Sequence, residues 1–169
     1  MLVLALLLAL VSPAHGEAWR WPLHGRVLTP FAVGSNPFVP GQHRGIDIAA
    51  AAGARVRSAC PGTVRFAGRV PGRARVVTVA CGPLVATYLE LGTVAVARGD
   101  RVRAGHPIGT VLASHLQLGA RRAGSRTAYV DPLTLLRHPP PPPLGAAPRG
   151  GRRRVPLRPP PVPAERPAP

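Results

Sequence analysis

The sequence predicts an all-β domain of many short strands, closed by a single helical turn. Two observations carry that prediction. The centre of the chain is a series of short runs, "TVRFAG", "ARVVTVA", "LVATYLEL" and "TVAVARG", rich in Val, Thr and aromatic residues and punctuated by Gly, Pro and Asp. No stretch sustains a helical period until "DPLTLL", where Asp131 is a plausible N-cap and Pro132 falls at the first helical position.

The N-terminal segment is a different kind of sequence. Met1 to Val11, "MLVLALLLALV", is apolar and is followed by "SPAHG", with Ala14 and Gly16 at the −3 and −1 positions of a signal-peptidase site. Residues 1–16 are therefore expected to be a signal peptide and the protein to be secreted or wall-associated. A membrane anchor is the alternative, but the run is short for a bilayer span. At the other end, residues 139–169 mix Pro, Gly and Arg with almost nothing to bury, as in "PPPPP", "GGRRR" and "RPPPVP". This is the composition of a disordered or polyproline-II tail. Residues 17–138 remain as one domain with one core.

The charge is lopsided. Twenty-two basic residues face 6 acidic ones, for a net charge of +16, and every basic residue is arginine. Such a chain adheres to polyanions. For an exported protein these are anionic wall polymers or an anionic membrane surface rather than nucleic acid, with the arginine-rich tail as the adhesive segment. Abundant Ala, Gly and Pro also suggest a GC-rich genome, which accounts for part of the arginine count without any partner.

The two cysteines fit an oxidising compartment. With a hairpin turn at Val70-Pro71, Phe66 faces Arg75, Val64 faces Val77 and Cys60 faces Cys81. Opposed antiparallel residues are close enough to bridge, and a Cys60–Cys81 disulfide would contribute on the order of 3 kcal/mol.

Candidate chemistry lies in two segments. In "GQHRGIDIAA", His43 and Asp47 are four apart. On a straight strand they would stand about 13 Å apart, so sharing one ion requires the chain to curl, which Gly45 would permit. In "SHLQLGAR" the alternation places His115, Gln117 and Gly119 on one strand face. Histidine and carboxylate ligands around zinc, with water in the fourth position, make a hydrolytic arrangement. His106, His24 and His138 read as exposed or turn residues, and Trp19 and Trp21 as core packing.

Taken in order, these segments resemble the lysostaphin and LytM-type zinc metalloendopeptidases, which cut peptide cross-bridges in peptidoglycan. "WPLHGRVLTPF" resembles the opening strand of that family, and "HRGIDIAAAAGARVRSACPGTVRFAG" its metal-binding segment. "ATYLELGTVAVARGDRVRAGHPIG" resembles its middle hairpins, and "HLQLGARRAG...YVDPLTLL" its closing strand and helix. The resemblance implies a small antiparallel, barrel-sandwich-like sheet core crossed by a groove with zinc in its floor. It places His43 and Asp47 at two zinc-ligand positions and His115 at the first histidine of the His-x-His pair, which acts on the attacking water. Gln117 stands where the third ligand, a histidine, is expected. Glu90, in "TYLEL", stands where many members carry a second catalytic histidine.

A glutamine amide is a poor zinc ligand, whereas a carboxylate at 90 still serves proton transfer. Two readings follow, with peptidoglycan as the partner in both and a monomer expected. One is a zinc endopeptidase with an impaired centre, favoured by retention of His43, Asp47 and His115. The other is a non-catalytic wall-binding module of the same fold, favoured by Gln117. A third class, the biotinyl or lipoyl carrier suggested by "GDRVRAGHPIG", is excluded because the chain has no lysine to hold the cofactor.

Overall fold

A computed structural model describes residues 18–72 and 74–137. The expected signal peptide and arginine-rich tail lie outside the described residues. Among those described, ten strands form one antiparallel sheet system, followed by a single 3-10 turn. The strands are β1 (Val27–Thr29), β2 (Gly45–Ala49), β3 (Arg55–Arg57), β4 (Gly62–Arg69), β5 (Arg75–Cys81), β6 (Leu84–Val94), β7 (Arg101–Val102), β8 (Pro107–Val111), β9 (His115–Arg122) and β10 (Tyr129–Val130).

The main path of the sheet runs β1-β2-β9-β6-β5-β4-β7, with β10 on β9 and with β8 joining β3 to β6. Alternation decides which side of each central strand is buried. Ile46 and Ile48 of β2, Leu116 and Leu118 of β9, and Ala86 and Tyr88 of β6 all point into the core, as do Val77 and Val79 of β5. The register aligns them in rows, since Ile46 faces Leu118, Leu118 faces Tyr88 and Tyr88 faces Val77. Each fully buried Ile, Leu or Val contributes roughly 1.5–3 kcal/mol. The residues between them, Asp47, Gln117 and Leu89, form a second aligned row on the opposite face.

The closing turn is as the sequence predicts. Asp131 caps Pro132–Thr134, its carboxylate accepting the Leu133 N–H at 2.9 Å. The disulfide also forms, joining Cys60 to Cys81 with Cα atoms 5.9 Å apart. The register that suggested it is corrected, however. Val64 faces Val79 and Phe66 faces Thr78, not Val77 and Arg75. The first pair of the hairpin is Arg69 with Arg75, so its connection spans residues 70–74, longer than a two-residue turn, and Gly72 takes a left-handed φ of 71° within it. A bulge at Arg65 takes up one residue of the shift. Cys60 itself lies outside β4, on a bend. That bend is held by the Ala59 N–H, which donates to the Tyr88 hydroxyl at 2.6 Å, and by Ser58, which donates to the Cys60 carbonyl at 2.7 Å. Burial pushes the Tyr88 phenol up to about 12, against the lowering effect of its hydrogen bonds to Ala59 and Ser58.

Strand β6 changes partner along its length. Leu84 to Leu89 pair with β9, whereas Leu91 to Val94 pair with β8. Glu90 is the residue at the switch, and it adopts a left-handed φ of 64°, the one described non-glycine residue to do so. Its carbonyl accepts the Leu112 N–H at 2.8 Å, which starts the new pairing. A left-handed non-glycine residue costs roughly 1–3 kcal/mol, and pairing on both sides of the switch offsets it.

Candidate functional site

Strands β2 and β9 position the polar cluster. Asp47 and Gln117 are directly opposed in the antiparallel register, on the face away from the core. His43 precedes β2 and is tied to Ala32 by a two-way backbone bridge, with N···O distances of 2.8 and 2.9 Å. The chain there leaves the strand line, which lets a residue four positions from Asp47 approach it. Gly45 does not supply that freedom in the way the sequence suggests, because its φ is not left-handed. It is needed for closeness instead, since a Cβ at this position would meet the Leu118 carbonyl oxygen at 2.4 Å.

The result is a compact triad of side chains. His43 Nε2 lies 3.1 Å from Asp47 Oδ1 and 3.0 Å from Gln117 Nε2, a residue 74 positions away in the chain. The His43 and Asp47 side chains are each 19% exposed. The other ring nitrogen, Nδ1, is 2.8 Å from the Pro30 carbonyl oxygen. A carbonyl only accepts, so Nδ1 carries a proton and donates. In the neutral ring the lone pair is then on Nε2, the atom aimed at Asp47 and Gln117.

This geometry tests whether a zinc ion suits the residues present. The His43 tautomer is the correct one for a ligand, and a carboxylate oxygen stands beside the free nitrogen. The third position does not fit. With the lone pair on His43 Nε2, the Gln117 amide presents its NH2 at 3.0 Å, a hydrogen-bond donor and not a ligand atom, to the centre. Turned about its terminal torsion, it would offer a neutral, hard oxygen, a weak complement to one imidazole and one carboxylate. Among the described residues no group of three or more His, Cys, Asp or Glu side chains is placed to hold a metal.

The two residues expected to act on water are not drawn into this triad. His115 shares the strand face of Gln117 and pairs with Ala49, one step further along β9. Its Nδ1 lies 3.4 Å from the Ser114 hydroxyl. Glu90 follows Leu89, the residue opposite Gln117, and sits at the partner switch of β6. His106 is exposed, as expected.

Beside the triad runs a cleft of about 390 Å³, where the resemblance implies a groove. Gln117 lines it together with Thr87, Leu89, Gly119, Arg44, Arg121 and Tyr129. Its β9 lining is marked in the sequence by the continuation of the polar alternation from His115 through Gln117 and Gly119 to Arg121.

The sequence pattern of peptidase family M23 matches residues 41–129. The chain belongs to this family. The match covers the segment from the turn before His43 to Tyr129, and so the triad, the cleft and the β6 switch together. An uncharacterised protein of Mycobacterium tuberculosis is 36% identical over 150 residues, which span 81% of this chain and 59% of that protein. The chain thus spans about three-fifths of the length of the curated relatives it matches. Among solved structures, Helicobacter pylori Csd3 is 28% identical, with a TM-score of 0.63 over 73% of this chain and 36% of that one. The catalytic domain of the antimicrobial peptidase lysostaphin from Staphylococcus simulans is 21% identical, with a TM-score of 0.57 over 65% of this chain and 90% of that domain. At that identity the likeness is one of fold.

Proposed function

We propose that this M23 domain binds the peptides of peptidoglycan without cutting them, its zinc centre being closed by Gln117. One observation carries this reading. Gln117 donates to the single ring nitrogen of His43 left for a metal, while Nδ1 is committed to the Pro30 carbonyl. A third imidazole would have competed with neither and would have completed a three-ligand set. What survives is the peptide-sized cleft of an M23 sheet, lined by hydrogen-bonding side chains. Export, directed by residues 1–16, would bring it to the wall, and the tail beyond residue 138 would add electrostatic adhesion to anionic wall polymers.

A second reading has its own support. His43 and Asp47 keep ligand chemistry, and His115 keeps its place on the same face as Gln117. On that reading the domain is a zinc endopeptidase of low metal affinity, with His115 and Glu90 handling protons.

The two are separated on one preparation of the secreted protein. It is incubated with excess zinc, passed through a desalting column, and assayed for bound zinc, sedimentation with insoluble peptidoglycan and release of wall fragments. The expected result is sedimentation with far less than one zinc per chain and no fragment release. Stoichiometric zinc with wall hydrolysis would overturn the proposal in favour of the second reading. Absence of both sedimentation and fragment release would overturn both.

A further inference from the structure

The cleft carries positive charge, with no acid among the described residues to neutralise it. Arg44 and Arg121 both line it, and no Asp or Glu does. The four acidic residues among those described are used elsewhere or lie elsewhere. Asp47 stands beside His43, Asp100 accepts the Ala97 N–H, Asp131 caps the closing turn, and Glu90 stands at the β6 switch. Among the described residues no arginine lies within 4.0 Å of a carboxylate oxygen, so neither cleft guanidinium has a carboxylate partner.

Both guanidiniums are nevertheless held in place. Arg44 donates from one nitrogen to the Pro37 carbonyl at 3.1 Å and lies 5.8 Å from the Tyr129 ring centroid and 5.9 Å from that of Phe38. Arg121 donates from one nitrogen to the Ser125 and Arg122 carbonyls. Each arginine has five N–H donors, so both forks keep donors to spare. Arranged this way they lose little conformational freedom on meeting an anion. Gly119 separates Arg121 from Gln117 on the same face of β9 and leaves the floor between them low.

We infer that the Arg44–Arg121 end of the cleft is a carboxylate subsite, which selects peptides bearing a free carboxyl group over amidated ones. A guanidinium fork matches a carboxylate in plane and bidentately. The rest of the cleft offers groups suited to a peptide backbone, namely the amides of Gln42 and Gln117 and the hydroxyl of Thr87. Its volume is that of a small-ligand pocket, which favours a few residues of peptide over an extended polymer. The inference rests on the peptide-binding reading above and adds what that reading does not contain, a preference for charge at one end.

The test compares two probes by titration calorimetry at low salt. One is an N-acetylated Ala-γ-Glu-Lys-Ala peptide with free carboxyl groups, and the other is the same peptide with those groups amidated. The free acid should bind the wild type at least tenfold more tightly, the worth of about one charge-assisted pair. Arg121→Gln and Arg44→Gln should each abolish most of that difference. The two substitutions lie on different segments, so if one variant fails to fold the other still decides. Equal affinity for the two peptides in the wild type, with sedimentation on peptidoglycan retained, would overturn the subsite and leave the peptide-binding reading standing. Equal affinity with sedimentation lost would remove both. Discrimination that survives both substitutions would also overturn the assignment to these arginines.

Discussion

On the core side of β6 the Tyr88 hydroxyl is fully enclosed and accepts one N–H, from Ala59 at 2.6 Å. On the opposite side of the adjoining strand β9, Gln117 and His43 meet at 3.0 Å in a cluster that solvent still reaches. Both are polar groups joined across long stretches of chain. Tyr88 anchors the bend that presents Cys60 to Cys81, and losing its partner would leave a buried donor unpaired. The Gln117 cluster anchors nothing of that kind, since it lies on the row that the core does not use. A replacement there changes chemistry at little cost to the fold. The same sheet therefore has one face where a polar residue is structural and another where it is free to define, or to close, a reaction centre.

The sharpest way to break that contrast is Gln117→His. An imidazole at this position should join His43 and Asp47 around zinc and tighten binding by about 100- to 1000-fold, the share of one ligand in a structural zinc site. Competition with a chelator at fixed pH reads this directly. The melting temperature without metal should stay within a few degrees of wild type, because the side chain faces the groove. Unchanged zinc affinity would mean that residue 117 is not a ligand position, and the correspondence of β9 with the family's metal strand would fall.

The core side should answer to pH instead. The folded Tyr88 phenol, pushed up to about 12, lies above its unfolded value of 10.0. Stability due to the protonated phenol is thus complete below pH 10 and is lost as pH rises from 10 towards 12. Two pH units correspond to roughly 3 kcal/mol. Urea unfolding at steps across this window should show the fall, and Tyr88→Phe should flatten the contribution. That variant should start about 1–2 kcal/mol lower at neutral pH, because Ala59 loses its acceptor. A slope unchanged in the variant would show that other groups cause it.

The smallest effect is expected at Glu90, where the two regions meet on β6. Glu90→Gly should relieve the left-handed backbone and raise stability by up to about 1 kcal/mol. Chemical denaturation would measure it. A loss of more than about 1 kcal/mol would mean that the glutamate side chain, and not only its backbone, supports the change of partner from β9 to β8.

Much of this molecule was written locally. Alternating Ile46-Ile48, Leu116-Leu118 and Val77-Val79 fixed which faces would be buried, because the strand period is two and water is excluded from only one side. Asp131-Pro132 fixed the closing turn for an equally local reason, a carboxylate in reach of the Leu133 N–H followed by a proline whose own N–H is absent. The resemblance of segment order was enough to bring His43, Asp47 and Gln117 under one suspicion. The relations between distant segments were decided only by the folded chain. The β4–β5 register followed a longer turn and a bulge, neither of which the alternation reveals. Gly45 serves the close approach of β9 and not a local curl. Glu90 takes its unusual backbone because two different neighbours claim the two halves of β6. The hydrogen bond from Gln117 to His43 spans 74 residues. No local preference encodes it, and it exists because the β2–β9 pairing sets an amide where the lone pair of the imidazole ends.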